Sequence, residues 1–214
     1  MAVPKKEVEA IRIKPIDFAR VRVVAVGDSM IVQHRIGESN IEKLEESTRE
    51  KKIKVKRQPR NIEREYNEAT YFLPDGKTLA CPSMWFKQSM VNACSFIEGI
   101  NKTLARAAFF IEGDLIPING TRKMRTDVVR LGGIGKTAQT RYRPEVFPWS
   151  VTLPIKYRPD LIDVSDLCNL LNHAGFSVGV GEDRPQKRGG QWGLFHVASE
   201  AESKALNGSR RKAA

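Results

Sequence analysis

Near its C-terminal end the chain runs "VSDLCNLLNHAGF" (164–176), then the loop "SVGVGEDRPQKRGGQ" (177–191), then "WGLFHV" (192–197). Leu167, Leu170, Leu171 and Ala174 recur at the spacing of one helix face. Ser165 is placed to cap that helix, and Gly175 to end it in the left-handed conformation. "WGLFHV" reads as a short strand. A one-faced helix followed by an apolar strand must bury that face on a sheet, so the chain belongs to the mixed α and β class.

Reading back from this unit, the earlier segments supply the rest of a sheet. "ARVRVVAVGDSMIVQHRI" (19–36) alternates Arg20 and Arg22 with Val21 and Val23, breaks at Gly27-Asp28, and resumes as a β segment over Met30–Ile36. The Pro-Asp-Gly of "YFLPDGKTLACP" (71–82) predicts a hairpin turn. Pro82-Ser83 opens a helix carrying Phe86, Met90, Val91, Cys94 and Ile97, which Gly99 stops. "RAAFFIEGDLIPI" (106–118) reads as β structure turning at Gly113-Asp114. "FPWSVTLPIKY" (147–157) reads as a strand in which Pro154 demands an edge or a bulge. The order is β, α, β, β, α, β, the plan of a ferredoxin-like, RRM-like core.

Two stretches depart from this plan and are expected to be excursions of one elaborated domain over residues 1–200. Residues 37–81 include a charged helix over 39–57, acidic first and basic last, the favourable sense for its dipole. Residues 119–145 are rich in Gly, Arg and Lys and lack a clear period. The polar end, 201–214, is expected to be disordered.

The 214 residues carry a formal net charge of +11, with 36 Lys and Arg against 25 Asp and Glu. Such an excess concerns partners rather than fold, and polyanions, nucleic acid foremost, are the partners it predicts. No apolar run reaches the roughly 20 residues of a membrane span, and "MAVPKKEVEA" has no signal-like apolar core, so a cytoplasmic protein without membrane contact is expected. Three spaced cysteines, Cys81, Cys94 and Cys168, fit buried thiols rather than a disulfide framework.

Catalytic motifs are weak. "GGIGKT" (132–137) resembles a phosphate-binding loop, but the glycine that such a loop needs at position 130 is Arg130. His34, His173 and His196 have no second ligand at metal spacing, so neither metal nor cofactor is predicted. His34, followed by Arg35, is the one candidate general base, suited to metal-independent RNA cleavage; a lone histidine beside an arginine is more often a phosphate contact or a structural residue.

The basic constellation is stronger. It comprises Lys52, Lys54, Lys56, Arg57 and Arg60 within "REKKIKVKRQPR" (49–60), then Arg125 beside Arg122, Lys123 and Arg130, then Arg141 and Arg143 around Tyr142. The loop adds Arg184, Lys187 and Arg188 next to Gly189, Gly190 and Trp192. A charge run alone is usually a solvated face. Four runs in loops and excursions, two of them beside aromatics, point instead to a sugar-phosphate chain with stacked bases. In this reading the loop glycines let backbone amides approach a phosphate, because they carry no Cβ. Trp192 either stacks a base or anchors the loop to the core.

"RGGQWGLFHV" resembles the glycine-rich loop and last strand of the RAMP superfamily, RRM-like proteins that form the backbone of CRISPR effector complexes. "CPSMWFKQSMVNA" (81–93), with Pro82, Ser83, Phe86 and Lys87, resembles that superfamily's strand-to-helix junction. Both blocks are also similar to uncharacterised tailed-phage proteins. The resemblance implies a non-catalytic protein that holds single-stranded RNA or DNA, often in copies stacked head to tail, and it adds Lys87 to the expected contacts; Arg35, beside His34, is a further expected phosphate contact. Single-strand DNA annealing and endoribonuclease action through His34 are the alternatives.

Overall fold

The computed structural model describes residues 13–37, 41, 45, 60–130 and 138–213. The expected helix over 39–57 lies outside the described residues except at Ile41 and Glu45, both helical. In chain order the elements are β1 (Ala19–Gly27), β2 (Ile31–Val32), α1 (Ile62–Glu68), β3 (Ala80–Pro82), α2 (Ser83–Ala93), α3 (Lys102–Ala108), β4 (Phe109–Ile111), β5 (Leu115–Arg130), β6 (Ala138–Tyr157), α4 (Val164–Ser177), α5 (Pro185–Arg188), β7 (Phe195–Val197) and α6 (Glu200–Ala213).

The central strands run β3-β5-β6-β1-β7, with antiparallel pairing throughout, and β2 and β4 also pair with β6. The order β5-β6-β1-β7 around α2 and α4 is the ferredoxin-like arrangement expected from the sequence. Val21, Val23 and Ala25 of β1 and Val151, Leu153 and Ile155 of β6 point to one face of the sheet, against α2 and α4. There Phe86, Trp149 and Phe195 meet, the Phe86 and Phe195 rings edge-on at 5.3 Å. Burying each such ring contributes about 1.5–3 kcal/mol.

Local chemistry explains the element ends. Asp75 Oδ1 accepts the Lys77 and Thr78 amides in the Pro-Asp-Gly turn, and Phe72 bridges Leu79, as expected of that hairpin. Helix α4 is capped two residues earlier than expected: Asp163, not Ser165, accepts the Asp166 amide. Gly175 is an ordinary helical residue, and its role is closeness. A Cβ there would stand 1.8 Å from the carbonyl oxygen of Phe195, so the strand can cross the helix only over a glycine.

Other expectations are corrected. Residues 102–108 are helix α3, where the apolar run predicts β structure from Arg106. Gly113-Asp114 does not turn a hairpin: β4 and β5 both pair with β6 in the same sense, and Glu112–Asp114 bulge between them. Pro154 lies between two neighbours rather than at an edge. Its carbonyl, and with it the N–H it lacks, faces the flank of β4 where the chain leaves the ladder at Glu112. Within the expected excursion at 119–145, residues 119–130 and 138–145 extend β5 and β6 as a two-stranded arm paired from Gly120↔Trp149 out to Arg130↔Ala138. The polar end is helix α6, opened by a reciprocal cap in which Glu202 accepts the Ser199 amide and Ser199 Oγ the Glu202 amide. Among the described residues no helix is long and apolar enough to cross a membrane.

Candidate nucleic-acid interface

The arm has two faces, and each is occupied. Arg122 points to one, where it donates to Thr70 Oγ1 and Asn67 Oδ1 and lies over the Tyr66 and Phe72 rings, tying α1 to the arm. Arg125, Asp127, Arg141, Arg143 and Glu145 share the other, by strand alternation and register. The glycine-rich loop docks on that second face. Its backbone is sewn to β2 and the turn before it: Gly193 N–H donates to Met30 O, Glu182 N–H to Val32 O, and Val180 N–H to Gly193 O.

This docking accounts for most of the glycines. Gly193 has φ +67°, and a Cβ would meet Val180 O at 1.8 Å; at Gly190 it would meet Asp183 O at 1.7 Å. These residues admit the protein's own backbone. Gly189 ends α5 in the left-handed conformation, with open space where a Cβ would be.

The structure brings the expected cations of arm and loop together, but among carboxylates. Arg143 is buried, with 4% of its side chain exposed, and its guanidinium lies 2.7 Å from Asp127, 3.8 Å from Glu182 and 3.9 Å from Asp183. Its assignment as a nucleic-acid contact is therefore corrected: a buried cation held by three carboxylates joins arm to loop. Arg125 donates to Asp127 at 2.8 Å and Glu145 at 3.2 Å, and its guanidinium stacks 4.3 Å from the Trp192 ring. Trp192 thus anchors the loop to the arm, not to the core. Lys187 donates to Glu182 at 2.6 Å, Arg184 to Gly181 O, and Arg141 to Gln139. Arg60 grips Glu65 and Thr140 O beside the Tyr142 ring. Arg188 lies in α5, and Arg35 donates its amide to Ala69 O. Lys52, Lys54, Lys56 and Arg57 lie outside the described residues.

His34 stands at this junction, exposed at one edge. Burial of the rest of the ring lowers its pKa; Glu182 opposes, and Arg143, Arg141 and Lys187 add to the lowering. Partial burial pushes Glu182 upward, but the Lys187 hydrogen bond and charge, with His34 and Arg143, outweigh it and hold the carboxyl below its usual range.

Lys87 is elsewhere. Its ammonium donates to Ala105 O, Arg106 O and Phe109 O, satisfying the end of α3, and burial pushes its pKa down to about 8. Phe109 pairs with Tyr157 at the far end of β6, on the order of 40 Å of strand from Arg143 at about 3.3 Å per residue. A single trough running from Lys87 to the loop is not what the fold builds.

Lys87 does border the surface that the sequence reading missed. The sheet face opposite α2 and α4 carries Arg20, Arg22 and Val24 of β1 and Pro154 and Lys156 of β6. Arg20 pairs with Lys156 in register, and Phe110 pairs with Lys156 from the other side. Lys156 Nζ lies 4.1 Å from the Phe18 ring centroid, and Lys87 Nζ reaches within 4.4 Å of the Phe110 ring at the sheet edge. Phe18 is 54% exposed and Phe110 56%. Arg20 meets Glu112 at 3.0 Å but keeps 65% of its side chain in solvent. The alternation of Arg20 and Arg22 was the available signal; Phe18 and Phe110 are single aromatics whose face only the register reveals.

No family model matches the chain, and no curated protein sequence does. Solved structures resemble it distantly. A chain of the Type III-B Cmr-beta complex bound to cognate target RNA, solved by cryo-EM, is 14% identical with a TM-score of 0.45, over 85% of this chain and 59% of that one. The crystal structure of Cmr6 from Pyrococcus furiosus is 9% identical with a TM-score of 0.40, over 86% of this chain and all of that one. Both neighbours fall in the superfamily that the motifs at 81–93 and 188–197 resemble. The strand order itself, rather than these likenesses, carries the fold assignment.

Proposed function

We propose that the protein binds single-stranded nucleic acid on its open sheet face. Bases stack on Phe18 and Phe110, and Arg20, Arg22 and Lys156 neutralise the phosphates between them. One observation carries this reading: two half-exposed aromatic rings and three cations share a face of an antiparallel sheet that the described residues leave open, in a chain of net charge +11. An aromatic ring stacks any base, and a four-stranded sheet is a known platform for splayed bases. A duplex keeps its bases stacked inside and gains nothing from such rings. Assembly of several copies head to tail along one strand is the finer part of the proposal.

The test is fluorescence anisotropy with labelled oligo(U) and oligo(dT). Phe110→Ala and Phe18→Ala each weaken binding by about 1–3 kcal/mol, the cost of losing one stacked base. Arg22→Ala reduces the slope of log K against log salt by about 0.7. Affinity unchanged in both phenylalanine variants removes the sheet face as the interface. Sedimentation on oligonucleotides of increasing length reads the assembly: one protein per strand at every length sinks the head-to-tail arrangement.

A further inference from the structure

Outside the sheet face, among the described residues, two basic side chains meet at a carboxylate of the protein itself. Glu182 Oε2 lies 2.6 Å from Lys187 Nζ and 3.8 Å from the Arg143 guanidinium. His34 is near enough to feel its charge, and Arg141 and Lys187 act on the same imidazole. The loop fixes Glu182 in this position: its own N–H donates to Val32 O, and the next residue, Asp183, holds a positive φ of 48° while its carboxylate also approaches Arg143. A carboxylate bonded to Lys187, with the Arg143 guanidinium 3.8 Å away, stands where a phosphate oxygen would make the same charge-assisted hydrogen bond to Lys187.

Resting on the reading above, we propose that Glu182 masks a phosphate subsite. The carboxylate fills a position that a sugar-phosphate chain leaving the sheet face would otherwise take, so the loop is an internal competitor of the ligand. Arg143 remains neutralised by Asp127 when Glu182 is removed, and Lys187 is the group set free. Lys187 and His34 are exposed, so the position is reachable from solvent.

The experiment compares the wild type with Glu182→Gln, which keeps the size and removes the charge, using labelled oligo(U) across a salt series. Glu98→Gln, on an exposed loop beyond α2, controls for net charge. Unmasking raises affinity about five-fold or more in Glu182→Gln and steepens the salt slope by about 0.7, the signature of one further phosphate engaged. Glu98→Gln changes affinity by less than about two-fold with the slope intact, and adding Lys187→Ala to Glu182→Gln abolishes the gain. Glu182→Ser, read by the same criteria, serves if the glutamine variant loses its cooperative thermal transition. Wild-type binding with Glu182→Gln no different from Glu98→Gln, or weaker, overturns the masking and leaves the sheet-face reading standing. Absence of binding by every protein in the set overturns both.

Discussion

Arg143 and the loop glycines show how single residues tie arm, loop and core together. The Arg143 guanidinium is shared by Asp127 from β5 and by Glu182 and Asp183 from the loop. Deleting one member of a buried ionic group leaves the others charged without a partner, so Arg143→Met is expected to destabilise the protein by about 3 kcal/mol. Urea denaturation of the two proteins measures it. Gly193→Ala places a methyl group on Val180 O at an unfavourable backbone angle, and a loss on the order of 2–4 kcal/mol is expected in the same assay. At this scale the sequence was half legible. That the loop needed its glycines could be read from their number, but the atoms they approach could not. The sequence pattern could not distinguish a glycine lying against a ligand from one lying against a neighbouring carbonyl.

Among elements, β6 organises the sheet, since every other strand except β3 and β7 pairs with it. Its outer half carries the arm, and its inner half separates the helix-covered face from the open one. Helix α6 is joined to this sheet by His196. Its Nδ1 lies 2.6 Å from Asp28 and its Nε2 3.2 Å from Glu202 in the first turn of α6. Burial lowers the His196 pKa, but the hydrogen bonds and charges of Asp28 and Glu202 outweigh it and raise the group above 6.5. Hydrogen bonds from Ser199 first, then His196, hold Glu202 down at about 2. The His196 contribution is complete below pH 6.5 and fades as pH rises through the higher folded value. The Glu202 contribution is complete above pH 4.5 and fades toward pH 2. The Tm difference between wild type and His196→Gln is therefore expected to be largest between about pH 4.5 and 6.5 and to shrink above it. Thermal unfolding across that range checks this, and a difference growing toward pH 9 contradicts it. The helical end was missed because its composition is polar. Its stability comes from the Ser199–Glu202 cap and the His196 bridge, and the latter's partner Asp28 lies far away in sequence.

At the scale of the molecule, the arm and the open sheet face are separate surfaces, and the proposed ligand uses the second. Removing Val128–Thr140 and closing Asp127 to Arg141 with Asn-Gly is expected to leave the affinity for oligo(U) within about two-fold. A ten-fold loss would place the interface on the arm. The order of strands and helices was determined by the sequence, because apolar spacing at 19–27, 83–93, 147–157 and 164–177 is a local property that each segment carries alone. The excess of positive charge was equally plain. Which of those charges remain available was decided by the tertiary structure. Coulombic pairing depends on distance in space, and folding sets Glu182, Asp127 and Glu145 against the very cations that looked free along the chain. The same folding lines up Arg20, Lys156 and Phe110, from three distant segments, on one face that the described residues leave open.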